Sequence, residues 1–182
     1  MNKNYSLKNP VVRFISSAFI LYILWYIVYE AWLHPTETLD LLVIENVGDW
    51  SELIIEALGF TLIKEFPVKD TIRTIGIDGT TGVWIGDSCN GISVFAIFAG
   101  FIIAYPGSSM IKKMIFIALG MLSIHIINIV RVSVLAIIQF YNYEWLDFNH
   151  TYTFTFIMYL YVFALWYYWI LRINPKVRNE GA

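Results

Sequence analysis

The chain alternates between four long apolar runs and shorter polar stretches. The apolar runs cover residues 14–33, 91–105, 114–141 and 151–171. An α-helix rises 1.5 Å per residue, so about 20 apolar residues cross the roughly 30 Å hydrocarbon core of a bilayer. Three runs reach that length, whereas 91–105 covers roughly 23 Å and needs a thinned bilayer or a few extra helical residues. The pattern predicts an all-α polytopic membrane protein, with residues 1–182 forming one membrane domain of about four transmembrane helices.

A different periodicity marks the polar stretch 34–90, which separates the first two apolar runs. Mostly apolar side chains recur there at helical spacing with carboxylates between them, which is typical of an amphipathic helix. The recurring positions are Leu39, Leu42, Val43, Asn46, Trp50, Leu53, Ile54, Ala57 and Leu58. Farther along, Asp78-Gly79 lies between the β-prone segments 71–76 and 81–85, which predicts a short β-hairpin. We expect the helix to lie on the membrane or to cap the helical bundle, and the hairpin to lead directly to residue 89.

Composition and charge support this class and set an orientation. Hydrophobic residues make up 58% of the chain and charged residues 14%, against about 25% charged residues in a soluble domain. The net charge of −2 gives no indication of nucleic-acid binding. Cationic residues precede the first run, separate the second from the third and follow the fourth, so the positive-inside rule predicts that both termini are cytoplasmic. These cations are Lys3, Lys8, Arg13, Lys112, Lys113, Arg172, Lys176 and Arg178.

Three polar side chains are predicted to reach one level of the membrane. Cys89, the only cysteine, comes just before the second run, and His150 comes just before the fourth. Arg131 follows Lys113 by 18 residues, which is roughly 27 Å along a helix and places it near the outer face. Helix N-termini stabilise thiolates, arginine stays protonated beside them, and histidine carries protons at neutral pH. Together the three side chains could support thioester formation and acyl transfer.

The order of these motifs resembles that of a known family. The sequence has Cys89-Asn90-Gly91 before an apolar run, Asn128-Ile129-Val130-Arg131-Val132 late in the next run, and His150 at the start of the last. In this it resembles the exosortase/archaeosortase family, and most closely the exosortase F branch of Bacteroidetes, over roughly residues 84–171. The resemblance implies a cysteine protease or transpeptidase in a bacterial inner membrane, with its active site on the extracytoplasmic side.

The resemblance also implies a substrate and a role for each residue. The substrate would be the C-terminal sorting tail of an exported protein, made of a short motif, a hydrophobic helix and a basic end. Cys89 would be the nucleophile, Arg131 the partner of the oxyanion or thiolate, and His150 the proton carrier. Neighbouring polar or small residues are candidates for substrate binding or support, namely Asp87, Asn90, Gly91 and Asn128.

Other interpretations of the same residues remain open at this stage. A lone cysteine in a helical bundle is often a packing residue, an arginine near a membrane edge can be an anchor, and a histidine can be an ordinary interfacial residue. The chain could accordingly be a non-catalytic membrane assembly or binding subunit, or a small transporter. No internal repeat supports a transporter. The sequence shows no signature of a metal or cofactor site, and the expected partners are the tail helix and membrane lipid.

Overall fold

The structure, a computed structural model, describes residues 9–64, 72–87 and 89–173. Six α-helices and two short strands form in these residues. Of three π-helical turns, one extends α1, one joins α5 to α6, and one extends α6. In chain order the elements are α1 (Pro10–Val28, extended by Tyr29–Leu33), α2 (Thr38–Ala57), β1 (Arg73–Ile75), β2 (Val83–Ile85), α3 (Ile92–Ala104), α4 (Met110–Tyr141), α5 (Glu144–Phe148), a π-helical turn (Asn149–Thr153) and α6 (Phe154–Tyr168, extended by Trp169–Ile173). The predicted all-α fold with one short hairpin is confirmed.

Three helical stretches of the described chain are long and apolar enough to cross a membrane, namely Pro10–Leu33, Met110–Tyr141 and Glu144–Ile173. The fourth apolar helix, α3, has 13 residues and is therefore about 20 Å long. Its carboxyl end is closed by Lys113 of α4, whose Nζ donates to the backbone carbonyls of residues 103 and 105 at 2.7 and 2.6 Å. Lys113 is buried, and its ammonium group satisfies carbonyls at the end of α3 that have no partner within the helix.

Helix α3 lies at the centre of the bundle, where it contacts α1, α4 and α6. On α1, the Phe14 ring packs edge-on against Phe101, with 5.0 Å between ring centroids. On α4, Gly120 lets the helix approach the fully buried ring of Phe98 so closely that no Cβ would fit. This tight contact sets the position of α3 relative to α4. The loop that precedes α3, which carries Cys89, is positioned along with the helix.

The predicted amphipathic helix is α2, and it packs alongside the second half of α4. Ser51 Oγ donates to the carbonyl of Ile129 at 3.2 Å, and His125 Nε2 lies 2.7 Å from Asn46 Oδ1. The buried face of α2 differs from the predicted one, because it consists of Asp40, Val43, Ile44, Val47, Gly48, Ser51 and Ile55. Leu42, Trp50, Leu53 and Leu58, which the periodicity placed on the apolar face, are exposed. The helix is apolar on more than one side, so spacing alone did not identify the side that packs.

The predicted hairpin forms, with β1 antiparallel to β2 and Thr74 opposite Trp84. Its predicted first residue, at position 71, lies outside the described residues. Two side chains fasten the hairpin to its neighbours. Arg73 reaches α2, where it pairs with Asp49 at 2.6 Å and with Glu52 at 2.7 Å. Gln139 of α4 donates to Thr81 Oγ1 and to the Gly82 carbonyl, both at 3.0 Å. The hairpin therefore delivers the chain from α2 to Cys89 in a fixed position.

Candidate active site

The loop that carries Cys89 is shaped by hydrogen bonds at the start of α3. The Cys89 amide donates to the Gly86 carbonyl at 2.9 Å, which closes a turn. Gly91, at the helix N-cap, has φ 85°, a left-handed conformation that glycine adopts without strain. Asn90 Oδ1 then accepts from the Ile92 amide at 2.9 Å and satisfies one of the free N–H groups of α3. These contacts hold the thiol, which is only 5% exposed, at the beginning of the helix.

Asn128 of α4 ties this loop to the bundle. Its Nδ2 donates to the Cys89 carbonyl at 2.8 Å, and both residues are buried. A carbonyl at this depth needs a donor, since an unpaired buried polar group costs roughly 1–3 kcal/mol. The structure thus gives Asn128, which the sequence offered as a supporting residue, a contact to the backbone of Cys89.

The imidazole of His150 lies directly against the thiol. The distance from Cys89 Sγ to His150 Nε2 is 2.9 Å, although the two residues are 61 positions apart in the sequence. His150 belongs to the π-helical turn Asn149–Thr153, and such turns frequently occur at functional sites. The direction of the hydrogen bond depends on the tautomer: a neutral Nε2 accepts from the thiol, and a protonated Nε2 donates to the thiolate.

Arg131 adds a positive charge to the same place. It is buried, at 9% exposure, and its charge acts on the His150 ring. Its Nε atom has no hydrogen-bond acceptor in the part of the chain that the structure describes. Buried guanidinium donors are normally paired, so this N–H is an exception among the buried polar groups of the described residues.

A second polar network, which the sequence did not reveal, lies behind the Cys89 loop. It centres on Asp40 of α2, whose carboxylate is fully buried. Oδ1 of Asp40 accepts from the Tyr29 hydroxyl at 2.6 Å and from Asn90 Nδ2 at 2.9 Å, and Oδ2 lies 3.3 Å from His34 Nδ1. The network connects the end of α1 through α2 to the residue after the cysteine. Asp40 is one of the carboxylates that lie between the recurring positions of α2, so the helical spacing gave no reason to expect it to be buried.

The charges of this network affect one another. The hydrogen bond to Asp40 raises the pKa of His34 above its ordinary value of 6.5. The pKa of Asp87 is also raised, mainly because the carboxyl is partly buried and then because of the charge on Asp40. Asp87 Oδ2 lies 3.8 Å from His34 Nε2, so Asp87 faces the network rather than the thiol–imidazole pair.

Possible metal ligands occur at this network. His34, Asp40 and Asp87 each offer one ligand atom, and the three atoms lie within 4.8 Å of one another. However, the Asp40 carboxylate already accepts from Tyr29 and Asn90, and the hydrogen bond between His34 and Asp40 accounts for their proximity. Hydrogen bonds therefore account for the proximity of these side chains, and no second observation among the described residues points to a bound cation.

The structure places most of the predicted site residues around Cys89. The structure brings Cys89, His150 and Arg131 together and places Asn90, Gly91 and Asn128 around the cysteine loop. Asp87 lies at the edge, beside His34. His125 of α4 is paired elsewhere, with its Nε2 2.7 Å from Asn46 Oδ1 of α2.

The fold and site define a multi-helix membrane protein in which a buried thiol at a helix N-terminus meets an imidazole and an arginine. The chain matches the family model of transmembrane exosortases over residues 7–170. It therefore belongs to the exosortase family, as its motifs indicated, and its assignment to the F branch remains a prediction. Comparisons with curated proteins and with solved structures give no match.

Proposed function

We propose that this exosortase-family protein is a cysteine peptidase or transpeptidase that cleaves the C-terminal sorting tail of exported proteins. The observation that carries the proposal is the 2.9 Å contact between Cys89 Sγ and His150 Nε2 at the N-terminus of α3. A nucleophile within hydrogen-bond reach of a base is the arrangement that thiol catalysis requires. Cys89 is buried and His150 is half-buried, and a polar pair at that depth beside a buried cation is difficult to explain by packing alone, because buried polar groups are costly without a partner.

In the proposed first step, His150 takes the thiol proton and Cys89 Sγ attacks the scissile carbonyl carbon. The carbonyl oxygen becomes an oxyanion, which the unpaired Nε–H of Arg131 can bind. The C–N bond then breaks, and His150 returns its proton to the departing amine. Residues upstream of the cut remain attached to Cys89 as a thioester.

In the second step, water or an acceptor amine attacks the thioester carbonyl. His150 removes a proton from the attacking group, the C–S bond breaks, and the proton returns to Sγ. Water gives hydrolysis, and an amine gives transpeptidation. In both outcomes the enzyme is regenerated with its thiol, and no redox partner is needed.

The proposal includes a location and an orientation. The protein would reside in the bacterial inner membrane, with both termini in the cytoplasm and the Cys89–His150 pair on the extracytoplasmic side. Cationic residues at the predicted cytoplasmic ends support this orientation. The apolar helix of the tail would lie against the bundle, which presents many exposed apolar side chains on its long helices.

The test is coexpression with exported proteins whose C-termini combine a short motif, an apolar helix and a basic end. We expect wild type to cleave one of them and Cys89→Ala to abolish cleavage while its thermal stability is retained. Arg131→Ala should lower cleavage about 100-fold or more, as removal of an oxyanion donor does. The matched control is Arg172→Ala, which removes an exposed cation of the extension of α6.

Mass spectrometry of the trapped wild-type protein should find the upstream fragment attached to Cys89. A Cys89→Ala protein that still processes the tail would rule out the proposed nucleophile. If wild type and Cys89→Ala retain the tail equally but neither cleaves it, the protein is a binding subunit instead.

A further inference from the structure

A cleft of about 260 Å³ opens beside the imidazole of His150. It is lined by β2 and the turn before it, by Gln139 of α4, and by Leu146 and Asp147 of α5. Pockets that enclose a whole small molecule usually measure about 300–1,000 Å³. The smaller volume fits a short segment of a longer ligand, and His150 is the residue that the cleft shares with the candidate active site.

The cleft borders an open edge of the hairpin. Consecutive side chains of a strand point to opposite faces, and yet both Val83 and Trp84 of β2 line the cleft. Contact with both therefore places the cleft along the edge of the strand. The opposite edge of β2 is paired with β1, and no other strand in residues 9–64, 72–87 or 89–173 pairs with it. A free strand edge offers backbone N–H and C=O groups to an extended peptide.

Gln139 adds a polar group at this edge. Its Nε2 is used twice, by Thr81 and Gly82, while its Oε1 is buried without a donor among the described residues. Leaving a buried carbonyl-type oxygen unpaired costs roughly 1–3 kcal/mol. Because Gln139 lines the cleft, a peptide bound there can supply the missing N–H donor while Nε2 keeps its two hydrogen bonds.

We propose that the cleft binds the substrate residues on one side of the scissile bond as an extended strand alongside β2, between Trp84 and Gln139. The inference rests on the proposed function, because the occupant is the sorting motif of the same tail. Trp84, at 70% exposure, provides a large rigid surface for one substrate side chain. Main-chain hydrogen bonds to β2 hold the peptide, and the far end of the segment reaches His150 and Cys89.

Disulfide cross-linking tests the geometry without catalysis. Cys89→Ala removes the only cysteine, and Trp84→Cys then places a single thiol in the cleft. The partner is a tail-bearing protein that wild type cleaves, with one cysteine moved stepwise through its motif. We expect cross-links at every second motif position, because alternate residues of a strand share one face. Trp145→Cys is the matched control, since Trp145 is also exposed and belongs to α5 but does not line the cleft.

Kinetics supply the second measurement. Trp84→Ala should raise KM about tenfold with little change in kcat, as loss of an aromatic anchor does, and Trp145→Ala should change neither. Cross-links that are equal from both tryptophan positions, or that lack the two-residue period, would overturn the cleft proposal while cleavage by wild type leaves the proposed function standing. A wild-type protein that cleaves no tail overturns both.

Discussion

The Asp40 carboxylate is predicted to position the Cys89 loop, and replacing it tests this role. In Asp40→Asn, Oδ1 can still accept from Tyr29 and Asn90, but both hydrogen bonds lose the charge of their acceptor. Hydrogen bonds to charged groups contribute about 1.5–3 kcal/mol and neutral ones about 0.5–1.5 kcal/mol. The two bonds together therefore lose about 2–3 kcal/mol, part of which is offset because a buried charge no longer needs desolvation.

Asp40→Leu should be more harmful, because it removes the acceptor altogether. The Tyr29 hydroxyl and Asn90 Nδ2 are then left buried without it, at roughly 1–3 kcal/mol each. The expected total of about 2–6 kcal/mol is a large part of the 5–15 kcal/mol that stabilises a typical protein. The two substitutions thus form a graded series at one site.

Both substitutions should also lower the activity of the molecules that remain folded. Asn90 follows the nucleophile and caps α3 through the Ile92 amide, so releasing it allows the thiol to move relative to His150. A displacement of about 1 Å can cost roughly 100-fold in rate. We expect the cleavage rate of the folded protein to fall about tenfold in Asp40→Asn and about 100-fold in Asp40→Leu.

The assay measures unfolding in detergent and tail cleavage in the same preparations. The matched control is Glu56→Gln, which makes the same carboxylate-to-amide change on the same helix at an exposed side chain. If Asp40→Asn lowers stability but leaves the rate per folded molecule unchanged, Asp40 is a structural residue only. If it matches Glu56→Gln in both measurements, the reasoning about the network is wrong.

Two further predictions concern packing and pH. Gly120→Ala should destabilise the bundle by about 1–3 kcal/mol, because its Cβ would overlap the buried Phe98 ring; Gly100→Ala, which meets open space, is the control in the same thermal unfolding assay. The raised pKa of His34 means that its protonated form is favoured by folding. This stabilisation is fully present below the ordinary value of 6.5 and should be lost as pH rises through the raised folded value. His34→Gln should abolish that pH dependence, and an unchanged profile would contradict it.

Helix geometry explains how much of the site could be predicted from the sequence. The rise of 1.5 Å per residue relates position along an apolar run to depth, so the count from Lys113 to Arg131 placed the arginine close to the level of Cys89. The same reasoning placed His150 there because it precedes the last run. Depth is one coordinate only, however, and the 2.9 Å contact between the thiol and the imidazole depends on how the helices pack.

The Asp40 network could not be predicted in this way. Asp40 is separated from Asn90 by 50 residues, and the polar stretch between α1 and α3 has no apolar run that fixes its depth. Helical spacing within α2 sorts residues into faces, but it does not show which polar residue meets a polar partner. Asp40 can be buried because Tyr29, His34 and Asn90 satisfy its oxygens, and those residues come from two other segments, the end of α1 and the loop before α3.

The buried apolar residues form two clusters, and on α4 the junction between them lies between Ile124 and Ile129. One cluster joins α2, the hairpin and the second half of α4, and it includes Cys89 and Ile129. The other joins α3, the first half of α4 and α6, and it includes Phe98 and Ile124. With 32 residues, α4 extends about 48 Å and exceeds the roughly 30 Å hydrocarbon core, so one helix can contribute to both a membrane layer and a layer beyond it.

The junction between the two apolar clusters suits the proposed substrate, a tail that is itself divided into a polar motif and an apolar helix. A charged or hydrogen-bonding group is costly within hydrocarbon, yet a thiol exposed to bulk water would not be close to a membrane-anchored peptide bond. Near this junction Asn128 and Arg131 are buried in protein, and Asn128 donates to the Cys89 carbonyl. A peptide bond at the boundary between motif and helix would therefore reach Cys89 while each part of the tail stays in the environment that solvates it.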